Sequence, residues 1–135
     1  MKIDGGCHCG NITYTAEVDP ESAGICHCTD CQTFSGSAFR TVVVAQKSAF
    51  RIVTGEPKIY IKTAASGNKR AQAFCPECGT HLYAAAATDP QVFGIRIGTA
   101  RQRAELQPRK QIWCQSAQPW ALDLKSINQF PKQPG

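Results

Sequence analysis

The sequence of 135 residues lacks any long run of apolar residues. A helix that spans a bilayer needs about 18 or more of them in succession, so the sequence predicts no membrane-spanning helix. The opening segment, MKIDGGCHCG, has neither an apolar stretch nor a cleavage pattern, which predicts no secretory signal and a cytoplasmic location. Hydrophobic residues make up 42% and charged residues 19% of the chain, a composition that excludes a disordered polymer and suits a single domain over residues 1–135.

A strong charge of either sign is also missing. The chain has 15 Lys and Arg residues against 10 Asp and Glu residues, a formal net charge of +5. Several of the basic residues lie in the segment RIGTARQRAELQPRK, which contains no aromatic residue. A nucleic-acid interface needs a stronger basic patch, usually combined with aromatic side chains. We therefore expect a solvated face here, and neither a nucleic-acid nor a membrane partner.

No segment shows a sustained apolar period of 3.6 residues, the pattern of an amphipathic helix. Alternating or β-branched segments occur instead: NITYTAEV, SAFRTVVVA, FRIVTG, PKIYIKT, RAQAF and QVFGIRIG. Turn-forming residues separate them in DPESAG, TGEP, SGNK and TDP. The sequence predicts a mainly β fold of short strands, with one helical turn capped by Thr29 or Asp30. The segment LYAAAATDP is compatible with either a helix or a strand.

Cysteine, in contrast, is abundant, with eight residues. Seven of them form three clusters and the eighth stands alone: Cys7 and Cys9; Cys26, Cys28 and Cys31; Cys75 and Cys78; and Cys114. Disulfides rarely persist in a reducing compartment, so this grouping indicates metal ligands. A Cys-x-x-Cys redox pair is typical of a βαβ context, and the sequence shows no such pattern.

The segment FCPECGTHLY is typical of a zinc knuckle, a tight turn in which both sulfurs point at one metal. Such a knuckle needs a second pair of ligands to complete a tetrahedron. Cys28 and Cys31 would complete it as a zinc ribbon of two Cys-x-x-Cys pairs. Cys7 and Cys9 would complete it equally well and leave the CHCTDC triplet as a separate group. The spacing does not decide between these two pairings.

Four segments stand in the same order as in a known family: GGCHCGNITY, CHCTDCQTFSGSAF, FCPECGTHLY and IWCQSAQPW. Over about residues 5–121, the sequence resembles the glutathione-dependent formaldehyde-activating enzyme-like family, which includes the centromere protein V-like domains. The resemblance implies a β-tent of stacked antiparallel sheets with zinc-ribbon-like knuckles, and two zinc ions per chain. It also implies their ligands, which are Cys7, Cys9, Cys75 and Cys78 for a structural zinc, and Cys26, Cys28 and Cys31 for a catalytic zinc with an open position.

The resemblance further implies a carbon–sulfur lyase-type enzyme that joins glutathione and formaldehyde, or a related aldehyde, to S-hydroxymethylglutathione or a related adduct. Three thiolate ligands weaken a zinc ion as a Lewis acid, so we expect a substrate thiol rather than hydroxide in the open position. Glutathione is therefore the expected small-molecule partner. Two alternatives stay open, a non-catalytic carrier of glutathione or another thiol, and a zinc-ribbon module that contacts other macromolecules.

The side chains around the open site are less well defined by the sequence. Basic residues should contact the two carboxylates of glutathione, and the sequence does not rank the candidates: Arg40, Arg51, Lys62, Arg70, Arg96 and Arg101. Gln111 stands where the family often has a histidine, and Cys114 stands where an apolar residue is common. We expect Cys114 in the core, because free cysteine behaves as a small hydrophobic residue. We expect the histidines to be solvated, packed or supporting rather than metal-bound: His8, His27 and His81.

Overall fold

The structure, a computed structural model, describes residues 1–134 of the chain. Within these residues it contains nine strands and one α-helix, joined by loops and short 3-10 helices. The strands are β1 (Lys2–Gly6), β2 (Thr13–Val18), β3 (Gly24–Cys26), β4 (Arg40–Thr54), β5 (Lys58–Thr63), β6 (Lys69–Phe74), β7 (His81–Ala86), β8 (Val92–Arg96) and β9 (Lys110–Ile112). The helix, α1 (Thr29–Ser35), lies between β3 and β4. The predicted mainly β fold is confirmed. None of the helices in this part of the chain is long and apolar enough to cross a membrane.

Antiparallel pairing links seven strands in the order β1-β2-β4-β8-β7-β6-β5. Strand β4 is 15 residues long and connects the two halves of this arrangement. Its first part pairs with β3 and β8, and its second part pairs with β2. Strand β3 also pairs in parallel with β9, which comes much later in the chain. The segment that carries the CHCTDC triplet is therefore held between β4 and β9.

One face of the central strands packs into the hydrophobic core. The rings of Tyr14, Phe50, Tyr83 and Phe93 form one contiguous aromatic cluster there, with neighbouring centroids 4.8 to 5.9 Å apart. Burying a large apolar side chain contributes about 1.5–3 kcal/mol relative to leaving it exposed. A shift of one residue in a strand would turn these side chains to the other face, so the cluster fixes the strand register.

The opposite face of the same strands is polar, and α1 lies on this side. Asp30 of α1 forms an ion pair with Lys62 of β5 at 2.9 Å, and the ring of Phe34 lies 6.0 Å from that of Tyr60. Since α1 has only seven residues, it is too short to be stable alone and depends on these contacts. The CHCTDC segment and α1 thus form a small cover over a polar sheet face.

The N-cap of α1 differs from the expectation. Thr29 and Asp30 are both inside the helix, and Cys28 is the N-cap, with its Sγ accepting a hydrogen bond from the backbone N–H of Cys31 at 3.2 Å. Capping preferences favour an oxygen of Ser, Thr, Asp or Asn, which is why the cysteine is not identified from sequence. The helix ends at Ser35, and Gly36 is its C-cap, whose φ of 62° is the left-handed conformation that glycine adopts without strain.

The first five residues of the ambiguous segment LYAAAATDP belong to strand β7 rather than to a helix, and the remaining four follow the strand. Alanine favours a helix in isolation. Here β7 is hydrogen-bonded to β6 on one side and to β8 on the other, and Ala84 and Ala85 are buried. Tertiary pairing therefore overrides the local preference.

Candidate metal centres

The first group of thiols is formed by two turns that are far apart in sequence. Cys7 and Cys9 follow β1, whereas Cys75 and Cys78 lie between β6 and β7. Their four Sγ atoms lie within 4.8 Å of one another, with 3.6 Å between Cys7 and Cys9 and 3.8 Å between Cys9 and Cys75. Zn–S bonds of about 2.3 Å place the sulfurs of a tetrahedral site about 3.8 Å apart. This four-cysteine group therefore fits a zinc ion with four protein ligands.

The two turns of the four-cysteine group have the same construction. In each turn, the first cysteine donates its backbone N–H to a carbonyl five residues later, from Cys7 to Ile12 at 3.0 Å and from Cys75 to Thr80 at 2.9 Å. A glycine with a positive φ follows the second cysteine of each turn, Gly10 at 82° and Gly79 at 78°. An added β-carbon would strain this left-handed backbone. The knuckle predicted from FCPECGTHLY thus has a counterpart at GGCHCG.

Thr80 connects the two turns. Its Oγ1 accepts a hydrogen bond from the backbone N–H of His8 at 3.0 Å and lies 3.2 Å from Sγ of Cys78. Hydrogen bonds from the side chain and then the backbone of Thr80 lower the pKa of Cys78 to about 5. The thiolate is the form of cysteine that binds a metal. Thr80 therefore favours the thiolate form of Cys78.

The second group of thiols comes from one short segment. Cys26 ends β3, Cys28 caps α1 and Cys31 lies in the first turn of α1. Their three Sγ atoms lie within 4.8 Å of one another, and no other Cys, His, Asp or Glu among residues 1–134 joins them. Three protein ligands can hold a zinc ion and leave one coordination position for another molecule. The structure thus brings together both sets of cysteines that the resemblance groups.

The three-cysteine group is accessible from one side. Cys26 and Cys31 are buried, whereas Cys28 is partly exposed. Burial opposes ionisation of Cys28, but hydrogen bonds from the side chain and backbone of Cys31 outweigh it and lower the pKa of Cys28. Burial raises the pKa of Cys31. The sulfurs of Cys28 and Cys31 are 3.0 Å apart, less than the about 3.8 Å of a tetrahedral zinc site, so metal binding would move them apart.

A buried histidine supports the segment between these ligands. His27 is completely buried, and its Nε2 lies 2.8 Å from Oε1 of Gln111 on β9. The ring packs edge-on against Phe39 at 5.5 Å, and the backbone N–H of His27 donates to the carbonyl of Ile112. His27 therefore anchors the three-cysteine group to β9 and is not one of its ligands. No sequence pattern signals this contact, because His27 and Gln111 are 84 positions apart.

The expectation that Cys114 lies in the core is wrong. It is exposed, at the start of a 3-10 helix, and belongs to neither thiol group. Trp113 before it has a positive φ of 57° and is 49% exposed. This left-handed residue ends the extended backbone of β9 and begins the 3-10 helix, in which Cys114 lies at the surface.

The other two histidines occupy different environments. His8 is exposed in the turn of the four-cysteine group. His81 is half-buried on β7, with its ring 5.9 Å from that of Phe34 and 6.0 Å from that of Phe74. A register shift in the β6–β7 pairing places His81 opposite Phe74. Such irregularities re-aim side chains, and this one turns His81 toward α1.

A family model described as glutathione-dependent formaldehyde-activating enzyme matches residues 2–116. The chain belongs to this family. A crystal structure of a Rhodobacter sphaeroides protein, a Northeast Structural Genomics target, has a similar fold, with a TM-score of 0.62 and 20% sequence identity. That similarity covers 80% of this chain and 98% of the other, and it concerns the fold alone.

In this member of the glutathione-dependent formaldehyde-activating enzyme family, two cavities share Arg40, which lies opposite Cys26 of the three-cysteine group. The larger has a volume of about 440 Å³ and is lined by Phe34, Arg40, His81 and Arg96, and also by Gly79 and Thr80 from a turn of the four-cysteine group; no cysteine among residues 1–134 lines it. The smaller has a volume of about 210 Å³ and is lined by Cys26 and Arg40 together with mainly apolar side chains. Pockets for small molecules are commonly about 300–1,000 Å³. The larger cavity alone is therefore in the size range of a pocket for a small molecule.

Proposed function

We propose that this protein is a zinc-dependent carbon–sulfur lyase-type enzyme that acts on glutathione and an aldehyde, with formaldehyde as the first candidate. The observation that carries this proposal is the three-cysteine group, in which no fourth protein donor joins the thiols among residues 1–134. Structural zinc sites are closed by four protein ligands, whereas catalytic sites keep one position open. Family membership supports glutathione and formaldehyde as the substrates.

Each thiol group would hold one zinc ion, two per chain. In the three-cysteine group, the zinc ion would hold a substrate thiol as a thiolate, the nucleophilic form that a free thiol barely populates at neutral pH. The protein supplies position and access. Strand β3 and helix α1 fix Cys26 and Cys31, His27 anchors the segment to β9, and the partly exposed Cys28 marks the open side. Such fixed positioning of two reactants lowers the entropy cost of their reaction.

The proposed reaction retains all atoms of both substrates. A carbon–sulfur bond forms between the thiol sulfur and the carbonyl carbon, as the π electron pair of the carbonyl moves to its oxygen. The proton that leaves the thiol ends on that oxygen, which gives S-hydroxymethylglutathione. The reverse reaction breaks the carbon–sulfur bond and returns the thiol and the aldehyde.

The four-cysteine group has a structural role in this proposal. It joins two turns whose cysteines Cys9 and Cys75 are 66 positions apart. Its four sulfurs would fill the coordination sphere of zinc and leave no position for a substrate. The residues of this group would therefore hold the fold around the reactive site rather than take part in the reaction.

Exchange NMR tests the proposed reaction, because it measures the rate at which formaldehyde and glutathione interconvert with their adduct at equilibrium. Zinc-loaded protein should raise this rate in proportion to its concentration. The Cys28→Ser variant should lower the protein-dependent rate at least about 100-fold, because it removes a ligand of the open site. The Cys114→Ser variant is the matched control, since it removes an exposed thiol outside both groups. Glutathione binding without any increase in exchange rate would contradict the enzyme and identify a carrier.

A further inference from the structure

The sheet face that carries the three-cysteine group also carries two arginines. Cys26 on β3 lies opposite Arg40 on β4, and Val42, two residues along β4, lies opposite Arg96 on β8. Alternate residues of a strand share a face, and diagonal neighbours are within reach of long side chains. Cys26, Arg40 and Arg96 therefore lie next to one another on the polar face beneath α1.

Arg96 is buried although its charge has no acidic partner. Arg96 is only 7% exposed. Its guanidinium donates hydrogen bonds to two neutral acceptors, the carbonyl of Gly94 at 3.2 Å and Oε1 of Gln72 at 3.0 Å. Within residues 1–134, its Nε has no hydrogen-bond partner and it forms no ion pair. Burial, followed by repulsion from Arg40, lowers the pKa of Arg96 to about 9, so it is still protonated at neutral pH. A buried, unpaired charge is costly to a fold, which points to an anion that binds here.

Arg40 faces the same space. Its Nε is buried and likewise has no hydrogen-bond partner in the part of the chain that the structure describes. It lines the larger cavity together with Arg96 and the smaller cavity together with Cys26. No acidic side chain lines either cavity. Two arginines therefore line one cavity that no acidic side chain of the described residues lines.

The other basic residues that the sequence offers as carboxylate ligands are paired or lie elsewhere, and Lys110, which lines the smaller cavity, is exposed and does not line the larger one. Lys62 and Arg101 form ion pairs with acidic side chains at 2.9 and 3.0 Å. Arg51 is exposed and lines a different cavity, on β1, β2 and β4, which no cysteine lines. Arg70 is near enough to Arg96 to lower its pKa, but it lines neither cavity beside the three-cysteine group. The structure thus ranks Arg40 and Arg96 first.

Charge balance with the cysteines is the competing explanation for these two arginines. Three thiolates around a divalent ion leave one negative charge, and the arginines could simply offset it. However, Arg96 lines the larger cavity, and none of the three cysteines does. Attraction to Cys31 and Cys26 does favour the charged form of Arg96, but its hydrogen bonds within residues 1–134 go to Gly94 and Gln72 and none goes to a sulfur. Its unpartnered Nε is therefore available to a molecule in the cavity.

We propose that Arg40 and Arg96 form a carboxylate-binding subsite in the larger cavity, beside the three-cysteine group. Its ligand is a carboxylate of the thiol substrate, whose identification as glutathione rests on the function proposed above. Guanidinium groups match carboxylates through two parallel, charged hydrogen bonds. The subsite would hold one end of the substrate while the thiol sulfur reaches the three cysteines. It would therefore select thiols that carry a carboxylate over neutral thiols.

Two probes separate this subsite from thiol binding in calorimetric titrations of the zinc-loaded protein. S-methylglutathione keeps both carboxylates but has no free thiol, whereas the diethyl ester of glutathione keeps the thiol but has no carboxylate. Arg40→Gln and Arg40→Lys are the main variants, because Arg96 is buried and Arg96→Gln risks the fold. Arg51→Gln is the matched control, since it removes the same charge from an exposed position outside both cavities.

Arg40→Gln should weaken the binding of S-methylglutathione by about 10- to 100-fold, the range expected for the loss of hydrogen bonds to a charged group. Arg40→Lys, which keeps the charge but not the planar fork, should recover part of this loss. Arg51→Gln should change the same affinity by less than about twofold, because an exposed charge is screened by solvent and salt. The diethyl ester should bind the native protein and the Arg40→Gln variant equally.

The subsite is overturned if Arg40→Gln binds S-methylglutathione as tightly as Arg51→Gln does. It is also overturned if the native protein fails to bind S-methylglutathione at roughly millimolar concentration. Both results can occur while the exchange reaction persists, so they leave the enzyme proposal intact. The converse can also occur. If Arg40→Gln selectively loses S-methylglutathione binding, the subsite is supported. If the native protein does not accelerate the exchange, the enzyme proposal fails while the subsite stands.

Discussion

The two thiol groups use the same ligand type, but the chain builds them in opposite ways. The four-cysteine group joins turns whose cysteines Cys9 and Cys75 are 66 positions apart, whereas the three-cysteine group lies within one segment of six residues, Cys26–Cys31. Holding distant segments together offsets a large loss of chain entropy, while holding neighbours together offsets little. A metal in the first group should therefore stabilise the whole fold. A metal in the second, beside a cavity that Cys26 lines, should contribute little to stability, and it is the one for which we propose a role in the chemistry.

The comparison is tested most severely by removing a ligand of the four-cysteine group. Cys75 is 0% exposed, and Cys75→Ser should prevent folding. Structural zinc contributes about 10–16 kcal/mol of apparent binding energy in small zinc-finger peptides, as much as the about 5–15 kcal/mol of net stability of a typical domain. Far-UV circular dichroism during heating measures the effect, with Cys114→Ser as the control. A Cys75→Ser protein with the native melting temperature would contradict the claim that the four-cysteine group stabilises the whole fold.

A chelator titration should separate the two groups within the native protein. The three-cysteine group should lose its zinc first, because it has three protein ligands rather than four. This first step should leave the circular dichroism unchanged, and the second should coincide with unfolding. Zinc release to a chromogenic chelator, recorded together with circular dichroism, follows both steps. Release of both zinc ions in one step, together with unfolding, would contradict the distinction.

A smaller effect is expected where the three-cysteine group is anchored to β9. Gln111→Ala removes the partner of the completely buried His27. An unpartnered buried polar group costs about 1–3 kcal/mol, so the free energy of unfolding should fall by that amount. Urea unfolding measures it, and Gln107→Ala, an exposed glutamine in the preceding segment, is the control. Equal stabilities of the two variants would show that this contact does not anchor the segment.

The smallest effect is expected for His81, beside the larger cavity. Burial, and then Arg96 and Arg40, lower the pKa of His81 from its ordinary value of 6.5. As the pH falls below that value, the unfolded chain takes up the proton before the folded protein does, so the native protein loses stability. His81→Phe keeps an aromatic ring there but removes the proton site. Between about pH 7 and about pH 5.5, the melting temperature of the ligand-free variant should fall by less than that of the ligand-free native protein. An equal fall in both proteins would contradict the assignment.

Local features of the fold can be predicted from the sequence because their causes are local. Alternating segments such as NITYTAEV give strands, and the knuckle at Cys75 and Cys78 is evident from its Pro and Gly residues. The second pair of ligands for that knuckle cannot be predicted from local sequence. It depends on how the turn after β1 meets the turn between β6 and β7, which spacing does not encode, so only the family resemblance distinguishes the two pairings.

The surroundings of the three-cysteine group are the least predictable part of the molecule. Arg40 and Arg96 become neighbours only through the registers of β3, β4 and β8, and the contact of His27 with Gln111 needs β9 beside β3. These are long-range pairings with no local signature. The sequence therefore identifies the cysteines of the site but not the charged and hydrogen-bonded side chains around them.

The distinction between the two groups is tested most directly by elemental analysis of zinc in Cys28→Ser, together with its circular dichroism. We expect the zinc content to fall from two ions per chain to one, while the fold and its melting transition are retained. Global unfolding of Cys28→Ser would contradict the account. It would make Cys28 a structural ligand and favour the pairing of Cys28 and Cys31 with the knuckle at Cys75 and Cys78.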